Sequence, residues 1–248
     1  MFREFHHQLK GKGHVETGSP CQDKTSYTNR EGVQVLCLSD GAGSAEHSEI
    51  GAQALVNEGG KMLVEQFVEF TSRDDGANVK VEVVQRLLTK LERTSRRRKV
   101  TVKDLAATFL AVAVSGDRFI AIHIGDGVIG YEKDGELKVV SAPDNSEFAN
   151  QTTFVTSLNA AHSMRLLRGS TVGVTGFVLM SDGTENSLYN HQTQKLAPAC
   201  SKIIALVAAS SRGLSLPSVR YQLRRFLATK VKEATKDDCS LAVFGRSV

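Results

Sequence analysis

Two apolar stretches of this chain end in the same three residues, Ser-Asp-Gly. The first reads VLCLSDG at residues 35–41, and the second reads FVLMSDG at residues 177–183. An apolar stretch of this length predicts a buried strand, whose last side chain the sheet holds in a defined position. The glycine allows a tight turn that brings a backbone carbonyl oxygen close to the carboxylate. Carboxylate and carbonyl oxygens are preferred ligands of Mg²⁺ and Mn²⁺, so Asp40 and Asp182 are candidate metal ligands.

Further aspartates occupy similar places elsewhere in the chain. Asp126 follows FIAIHIG, Asp237 and Asp238 precede CSLAVF, and Asp23 precedes the strand candidate KTSY. Asp-Gly is also a common turn sequence, so a single occurrence has an ordinary structural explanation. Acidic residues at the ends of five strands instead indicate a site for two hard metal ions, because closely packed like charges repel unless a cation lies between them.

Two other kinds of ligand-binding loop fail at the first Ser-Asp-Gly. A Gly-x-Gly-x-x-Gly dinucleotide loop beginning at Gly41 requires glycine where the chain has Glu46. A calcium loop beginning at Asp40 requires glycine and glutamate where the chain has Ala45 and Gly51. The sequence also contains no Walker loop, Gly-x-Ser-x-Gly elbow or His-Glu-x-x-His motif.

Composition indicates a globular protein of one domain. Its 248 residues are 41% hydrophobic and 23% charged, enough for a sizeable core. No apolar run approaches the roughly 20 residues of a membrane span, and the N-terminus lacks the apolar core of a signal peptide. We therefore expect a cytoplasmic protein without membrane contact. The four cysteines are far apart and favour neither a zinc site nor a disulfide framework.

The net charge of +4 is concentrated in two basic segments, residues 93–103 and 220–232. The simplest explanation is a solvated helix end and a solvated helix face. The alternative is a surface that attracts acidic or phosphorylated partners. Nucleic-acid binding is not expected, because no aromatic residues interrupt the first segment and no reader motif is present.

Periodicity predicts a strand, two helices, several strands, two helices and a final strand. Residues 33–39 predict a buried strand, followed by a helix that Gly59 and Gly60 interrupt. Turn sequences at 115–117 and 133–135 indicate adjacent antiparallel strands. This order favours packed antiparallel sheets flanked by helices over a parallel doubly wound sheet. The other predicted elements are helices at 79–95, 194–211 and 216–232 and strands at 153–157, 163–167, 176–181 and 239–244.

Six short motifs occur in an order that resembles one known family. They are CQDKTSY, SDGAGS, ATFLAVAV, IGDGVIGY, MSDGTEN and DDCSLAVF, between about residue 11 and residue 245. Their order and spacing are similar to those of the metal-dependent protein serine/threonine phosphatases of the 2C family. The resemblance implies an α+β fold, a four-layer α-β-β-α sandwich of two antiparallel sheets flanked by helix pairs. It also implies a single phosphatase 2C-like domain over residues 1–248.

The resemblance further implies a binuclear metal centre. Asp40 is expected to bridge two cations, with the Gly41 carbonyl as a ligand of one of them. Asp182 and Asp237 are expected to be ligands of the other cation, and Asp126 to help hold a third, weaker one. The cations are expected to be Mn²⁺ or Mg²⁺, two or three in number.

The chemistry that the resemblance implies is direct hydrolysis. A metal-activated water attacks phosphorus without a phosphoenzyme. The substrates are phosphoserine and phosphothreonine side chains of proteins, products of a serine/threonine kinase, and the enzyme is expected to be a monomer. Asp23 belongs to an acidic pair that contacts metal-bound waters. The expected catalytic residues are Asp40, Asp182, Asp237 and Asp23.

Two departures from the family pattern concern the N-terminal segment. Where the family has an arginine that grips the substrate phosphate, this chain has Gly18. His14 is the candidate replacement as substrate-binding residue, with Arg3 as a second candidate. Gln22 replaces a glutamate of the acidic pair, and because an amide carries no charge we expect weaker metal affinity.

Other departures concern the acid and the loop beside the site. Gly-Asp-Gly at 125–127 replaces Gly-Asp-Ser-Arg, and Ala42 stands where some members have a histidine suggested as general acid. His47 is a candidate for that role. Residues 141–157 correspond to the family's flap, a variable loop expected to influence substrate choice. The departures leave open a catalytically weak relative that binds phosphoproteins or regulates a complex, and a hydrolase of small phosphorylated metabolites.

Overall fold

The computed structural model describes residues 1–143, 152–209 and 216–247. Within these ranges two five-stranded antiparallel sheets form the centre of the molecule, with helices packed on both. The α+β, four-layer α-β-β-α prediction is thereby confirmed. The strands are β1 (Arg3–Leu9), β2 (Lys24–Arg30), β3 (Val33–Ser39), β4 (Phe109–Ser115), β5 (Arg118–Ile124), β6 (Val128–Lys133), β7 (Glu136–Ser141), β8 (Arg165–Ser170), β9 (Val174–Met180), β10 (Tyr189–Asn190), β11 (Lys195–Leu196) and β12 (Cys239–Gly245).

Helices connect the strands in pairs or singly. The second and third are the longest, and the last α-helix continues into a π-helical turn at Leu227–Val231 and a 3₁₀ turn at Lys232–Ala234. Another 3₁₀ turn lies at Lys103–Leu105. The α-helices are α1 (Lys12–Thr17), α2 (Ser48–Ser72), α3 (Gly76–Arg98), α4 (Ala160–Ser163), α5 (Asp182–Leu188), α6 (Ala199–Ala209) and α7 (Leu216–Phe226).

The two sheets are formed by strands from different parts of the chain. One has the order β1-β12-β9-β6-β7 and the other the order β2-β3-β4-β5-β8, while β10 and β11 form a separate hairpin. The two ends of the chain pair with each other, because β1 lies antiparallel to β12 from Arg3 opposite Gly245 to Leu9 opposite Cys239. The first sheet therefore joins residues from both ends of the chain to strands from its middle.

Strand periodicity distributes the apolar side chains among three layers of core. In β3, Leu36 and Leu38 pack between the two sheets, whereas Val35 and Cys37 pack in the layer that contains α2 and α3. A third layer lies on the other sheet and includes residues of α6 and α7. A strand buried on both faces is uniformly apolar, which explains the unbroken VLCL sequence.

The predicted interruption of the second helix at Gly59 and Gly60 is wrong, because α2 is continuous through both residues. A Cβ atom at Gly59 would lie 2.2 Å from the ring of Phe109 on β4. The glycine therefore allows the helix to approach the sheet closely and does not end it.

Several other elements differ from the prediction. The sequence REFHHQL gave no clear strand pattern, yet it forms β1, an edge strand in which only Phe5 is fully buried within the strand. No strand forms over the predicted 153–157 segment, all of which is described and consists of turn and irregular backbone. The predicted helix from residue 194 begins only at Ala199, because the β10–β11 hairpin precedes it, and its last two predicted residues lie outside the described ranges.

The close packing of α2 on β4 gives a stability prediction. We expect Gly59→Ala to lower the free energy of unfolding by about 1–3 kcal/mol, the usual cost of overpacking a core. Urea denaturation measures it. The matched control is Gly76→Ala at the start of α3, where the new Cβ would meet only Leu166 Cδ2 at 3.9 Å. That control should match or exceed wild-type stability, and equal stability of both variants would contradict the packing argument.

Candidate metal centre

The strand ends that carry the predicted aspartates meet at one edge of the sandwich. Asp40 follows β3, Asp126 lies between β5 and β6, Asp182 begins α5 after β9, and Asp237 precedes β12. These four residues border one cavity of about 240 Å³. Carboxylates from both sheets therefore share one small space. The other residues that border it are His14, Gln22, Gly41, Ala42, Gly43, Thr108, Thr152 and Phe154.

Backbone pairing fixes Asp40 beyond the last residue of its strand. The Asp40 N–H donates to Thr108 Oγ1 at 2.9 Å, and the Thr108 N–H donates to the Asp40 carbonyl at 2.8 Å. Gly41 then pairs with Ala107 in an isolated β-bridge. The carboxylate of Asp40 and the carbonyl of Gly41 are thus attached to a rigid part of the sheet, as a precise site requires.

Burial and mutual repulsion disturb the titration of these groups. Burial is the largest cause that raises the pKa of Asp40 well above its ordinary value, and the charges of Asp23, Asp182 and Asp126 add to it. The pKa of Asp182 rises to about 6, through burial and then the charges of Asp126 and Asp237. A hydrogen bond between Asp40 and Asp182 raises the pKa of the first and lowers that of the second. This is the behaviour of two carboxyl groups that share a proton.

Asp23 is fully buried and does not border the cavity. The Ser181 hydroxyl donates to its Oδ2 at 2.8 Å, whereas Oδ1 has no hydrogen-bond partner among the described residues. Burial is the main cause that raises the pKa of Asp23 to about 7. A buried carboxylate oxygen without a partner is costly. Asp23 lies close enough to Asp40 for its charge to raise the pKa of Asp40 further.

The carboxylates of the described residues are not arranged as a complete set of metal ligands. Across residues 1–143, 152–209 and 216–247, no three His, Cys, Asp or Glu side chains form a group that could hold a metal ion as they are placed. Burial and mutual repulsion instead raise the pKa values of Asp40 and Asp182. Mg²⁺ usually keeps several waters and takes one or two carboxylates directly, so the cavity fits such an ion through a mixture of direct and water-mediated contacts, with the Gly41 carbonyl included.

Asp238 anchors the N-terminal segment to the edge of the site. Its side chain is 1% exposed, and it accepts hydrogen bonds from the N–H groups of Gly11 and Gln22, each at 2.6 Å. His14 Nδ1 lies 2.9 Å from Asp238 Oδ1. One carboxylate therefore holds both ends of residues 11–22 against the start of β12, and the segment brings His14 and Gln22 to the cavity.

Gly18, which stands where the family has its phosphate-binding arginine, lies at the end of a helix. Gly18 terminates α1 with a φ of 74°, and its N–H donates to the carbonyl of Val15. This left-handed backbone favours glycine, so an arginine here would be strained. Of the two replacements, His14 borders the cavity. Arg3 begins β1 and is not among the described residues that border the cavity, so its role stays a prediction.

The described end of the predicted flap reaches the site. The Thr152 hydroxyl donates to Asp126 Oδ2 at 2.5 Å, and Phe154 borders the cavity. Sequence reasoning missed both residues, because a contact between a loop and a strand end 26 residues away leaves no periodic signal. The other part of the flap, residues 144–151, lies outside the described residues.

The structure does not bring His47 to the cavity. It precedes α2, its N–H donates to the carbonyl of Asp104 at 2.9 Å, and its Nε2 lies 4.0 Å from Glu46. His47 is not among the described residues that border the cavity, and its role as a general acid stays a prediction. Ala42 does border the cavity but has no proton to donate.

Known proteins are similar to this chain in sequence and in fold. Residues 10–228 match the family model of Protein phosphatase 2C. Serine/threonine-protein phosphatase 3 of Escherichia coli (strain K12) is 28% identical over 245 residues, which cover 94% of each protein. The structure of the serine/threonine phosphatase Stp1 from Staphylococcus aureus superimposes with a TM-score of 0.67 at 12% identity, covering 100% of this chain and 96% of Stp1. That of RsbX in complex with magnesium gives 0.56 at 15% identity, with coverage of 99% and 96%.

The matched region is well over half of the chain, so the chain belongs to the protein phosphatase 2C family. It is an enzyme, a protein serine/threonine phosphatase, as the six motifs predicted. The two solved structures share its fold. In the part of the chain that the structure describes, every helix is too short or too polar to cross a membrane.

The raised carboxyl pKa values predict how pH affects the metal-free protein. The folded chain holds protons on Asp23, Asp40 and Asp182 more tightly than the unfolded chain, whose carboxyl pKa is 3.8. The resulting stability is complete below that value and is lost as pH rises through about 6 for Asp182 and about 7 for Asp23. For each such carboxyl group, every unit by which pH rises between its unfolded and folded pKa values lowers the free energy of unfolding by about 1.4 kcal/mol.

Thermal unfolding in a chelator at pH 5 and pH 7.5 measures the effect. We expect Asp182→Asn to lose less stability between the two conditions than wild type, because one titrating group is removed and the charge on its neighbours is relieved. Asp117→Asn, at an exposed turn between β4 and β5, is the control and should follow wild type. An Asp182→Asn profile that is parallel to wild type would contradict the electrostatic description.

Proposed function

We propose that this chain hydrolyses phosphoserine and phosphothreonine in proteins, using a water activated by divalent cations in the cavity. The observation that supports this most directly is the cavity itself, where Asp40, Asp126, Asp182 and Asp237 border about 240 Å³. Such a concentration of acidic groups destabilises the folded chain unless cations offset it. A module that only binds other proteins has no need of this arrangement.

In this proposal Asp40 would be a ligand of both of two cations, Mn²⁺ or Mg²⁺. The Gly41 carbonyl would be a ligand of one cation, Asp182 and Asp237 would be ligands of the other, and Asp126 would help to hold a third, weaker one. When bound, the cations lower the pKa of a coordinated water and offset charge on the phosphoryl oxygens. The magnesium bound in the RsbX structure supports Mg²⁺ as one of the candidates.

The neighbouring residues have supporting roles. Asp23 accepts a hydrogen bond from a water of the centre through its unpaired Oδ1. The Gln22 amide can accept a similar bond but adds no charge. His14 contacts the phosphorylated side chain of the substrate through Nε2, the ring nitrogen that does not face Asp238. Thr152 orients Asp126.

The proposal also has consequences for partners and domain organisation. Phosphoserine and phosphothreonine in proteins arise by kinase action, so the substrates are products of a serine/threonine kinase. Residues 1–248 form one catalytic domain in this view, supported by the pairing of β1 with β12, which joins the two ends of the chain in one sheet.

One alternative has a specific observation in its favour. The end of α1 at Gly18 leaves no side chain at the position of the phosphate-gripping arginine, and Gln22 removes one charge from the acidic pair. A catalytically weak relative that binds phosphoproteins would tolerate both changes. It would have no use for the buried carboxylates, which makes hydrolysis the better supported function.

Hydrolysis of a phosphothreonine peptide, with Mn²⁺ and with a chelator, tests the proposal. We expect turnover that depends on the metal and that Asp40→Asn and Asp182→Asn reduce by about 100-fold or more, the scale for one electrostatic contributor. The surface variant Asp117→Asn is the control. Wild-type activity no higher than that of the two cavity variants would support the binding module instead. A strong preference for a small phosphorylated metabolite over the peptide would identify a different substrate class.

Restoring the charge at position 22 should strengthen metal binding. The Gln22 side chain borders the cavity while its backbone N–H is bound to Asp238, so Gln22→Glu leaves the anchor in place. We expect the Kd for Mn²⁺, measured by calorimetry, to fall about tenfold, equivalent to about 1.4 kcal/mol. Gln53→Glu, on an exposed face of α2, should not change it. An unchanged Kd for Gln22→Glu would place the cations away from this residue.

A further inference from the structure

Among the described residues, the cavity has one histidine on its border. Its border includes four aspartates, one glutamine, two threonines and one histidine, His14. The aspartates are assigned to the cations, and amides and hydroxyls do not release a proton near neutral pH. With the aspartates assigned to the cations, His14 is the described residue at this border whose side chain is of a type that enzymes commonly use for proton transfer.

One ring nitrogen of this histidine lies beside Asp238. His14 Nδ1 is buried and lies 2.9 Å from Asp238 Oδ1. The N–H is not in line with the oxygen, a common state of catalytic hydrogen bonds before substrate binds. Asp238 itself cannot move freely, because Gly11 and Gln22 donate backbone hydrogen bonds to its two oxygens.

The same arrangement of a buried carboxylate and the Nδ1 of a histidine is used elsewhere to orient an imidazole for proton transfer through Nε2. We propose that His14 is the general acid that protonates the serine or threonine oxygen as it leaves, and that Asp238 is the residue that positions it. The inference rests on the proposed function. It gives His14 a task beyond contact with the substrate.

The proton and electron balance is simple. A water oxygen forms the new bond to phosphorus, and the bond between phosphorus and the side-chain oxygen breaks with its electron pair on that oxygen. The oxygen takes the proton from His14 Nε2, which leaves a neutral ring and a free serine or threonine. The ring regains a proton from solvent, and the proton lost by the attacking water leaves with phosphate or solvent.

The need for a general acid depends on how basic the leaving group is. Substrates with different leaving groups therefore distinguish general acid catalysis from phosphate binding. An alkoxide is strongly basic and needs a proton, whereas p-nitrophenolate leaves without one. We expect His14→Gln and His14→Asn each to lower the ratio of kcat/KM for a phosphothreonine peptide to kcat/KM for p-nitrophenyl phosphate by about 100-fold or more, the scale of general acid catalysis. If His14 only binds phosphate, both substrates lose activity together and the ratio stays constant, which would overturn the proposal.

The two variants are matched to each other and to a control. Asparagine keeps a donor near the Nδ1 position, and glutamine keeps a neutral donor near the Nε2 position, but neither can transfer a proton as imidazolium does. Retention of the wild-type ratio by His14→Gln would show that hydrogen bonding alone suffices and would contradict the proposal. His47→Gln, a histidine outside the cavity, should keep the wild-type ratio.

A spectroscopic readout tests the positioning role without turnover. The ¹⁵N chemical shifts of the His14 ring report which nitrogen carries a proton, and we expect a proton on Nδ1 in wild type that becomes less populated in Asp238→Asn. A neutral ring with its proton on Nε2 and a bare Nδ1 would overturn the inference. If wild type hydrolyses neither substrate with Mn²⁺, the proposed function fails, and the ring tautomer still decides whether Asp238 orients His14.

Discussion

Repulsion among carboxylates at the open edge of the sandwich is the constraint on which the rest of the structure depends. Asp40, Asp182 and Asp237 come from strands or turns that belong to two different sheets, yet they border the same cavity. Burial and neighbouring charge raise the pKa of Asp40 well above its ordinary value. The fold keeps these groups together because three apolar layers and antiparallel strand pairing hold the strands that carry them. The stability that the carboxylates remove is what a cation would restore.

A neighbouring carboxylate, that of Asp238, has a structural role. Asp238 is adjacent to a proposed metal ligand, but its hydrogen bonds go to the N-terminal segment at Gly11 and Gln22. It connects the last strand of the chain to the residues that approach the substrate side of the cavity. The proposed metal ligand Asp237 and the residue that anchors the N-terminal segment, Asp238, are thus consecutive. Through this anchor the segment brings His14 to the cavity.

The structural features that could be predicted from the sequence are those with local physical causes. An unbroken apolar strand such as VLCL and a following Asp-Gly turn predict where a carboxylate is held, and the order of such strands favours two antiparallel sheets. The parts that did not follow depend on contacts between distant residues. An edge strand such as β1 needs few apolar residues, Gly59 is understood only through Phe109, and Thr152 meets Asp126 across a loop. The pair His14 and Asp238 joins residues from opposite ends of the chain.

The central claim is that this cavity binds two divalent cations bridged by Asp40. An anomalous difference map from crystals grown with Mn²⁺ measures it most directly. The account predicts two peaks inside the cavity, about 3.5–4 Å apart, the separation of two-metal sites, with the Asp40 carboxylate between them and Asp182 and Asp237 beside one. A map at saturating Mn²⁺ with no peak in the cavity, or with peaks only elsewhere on the protein, would contradict it.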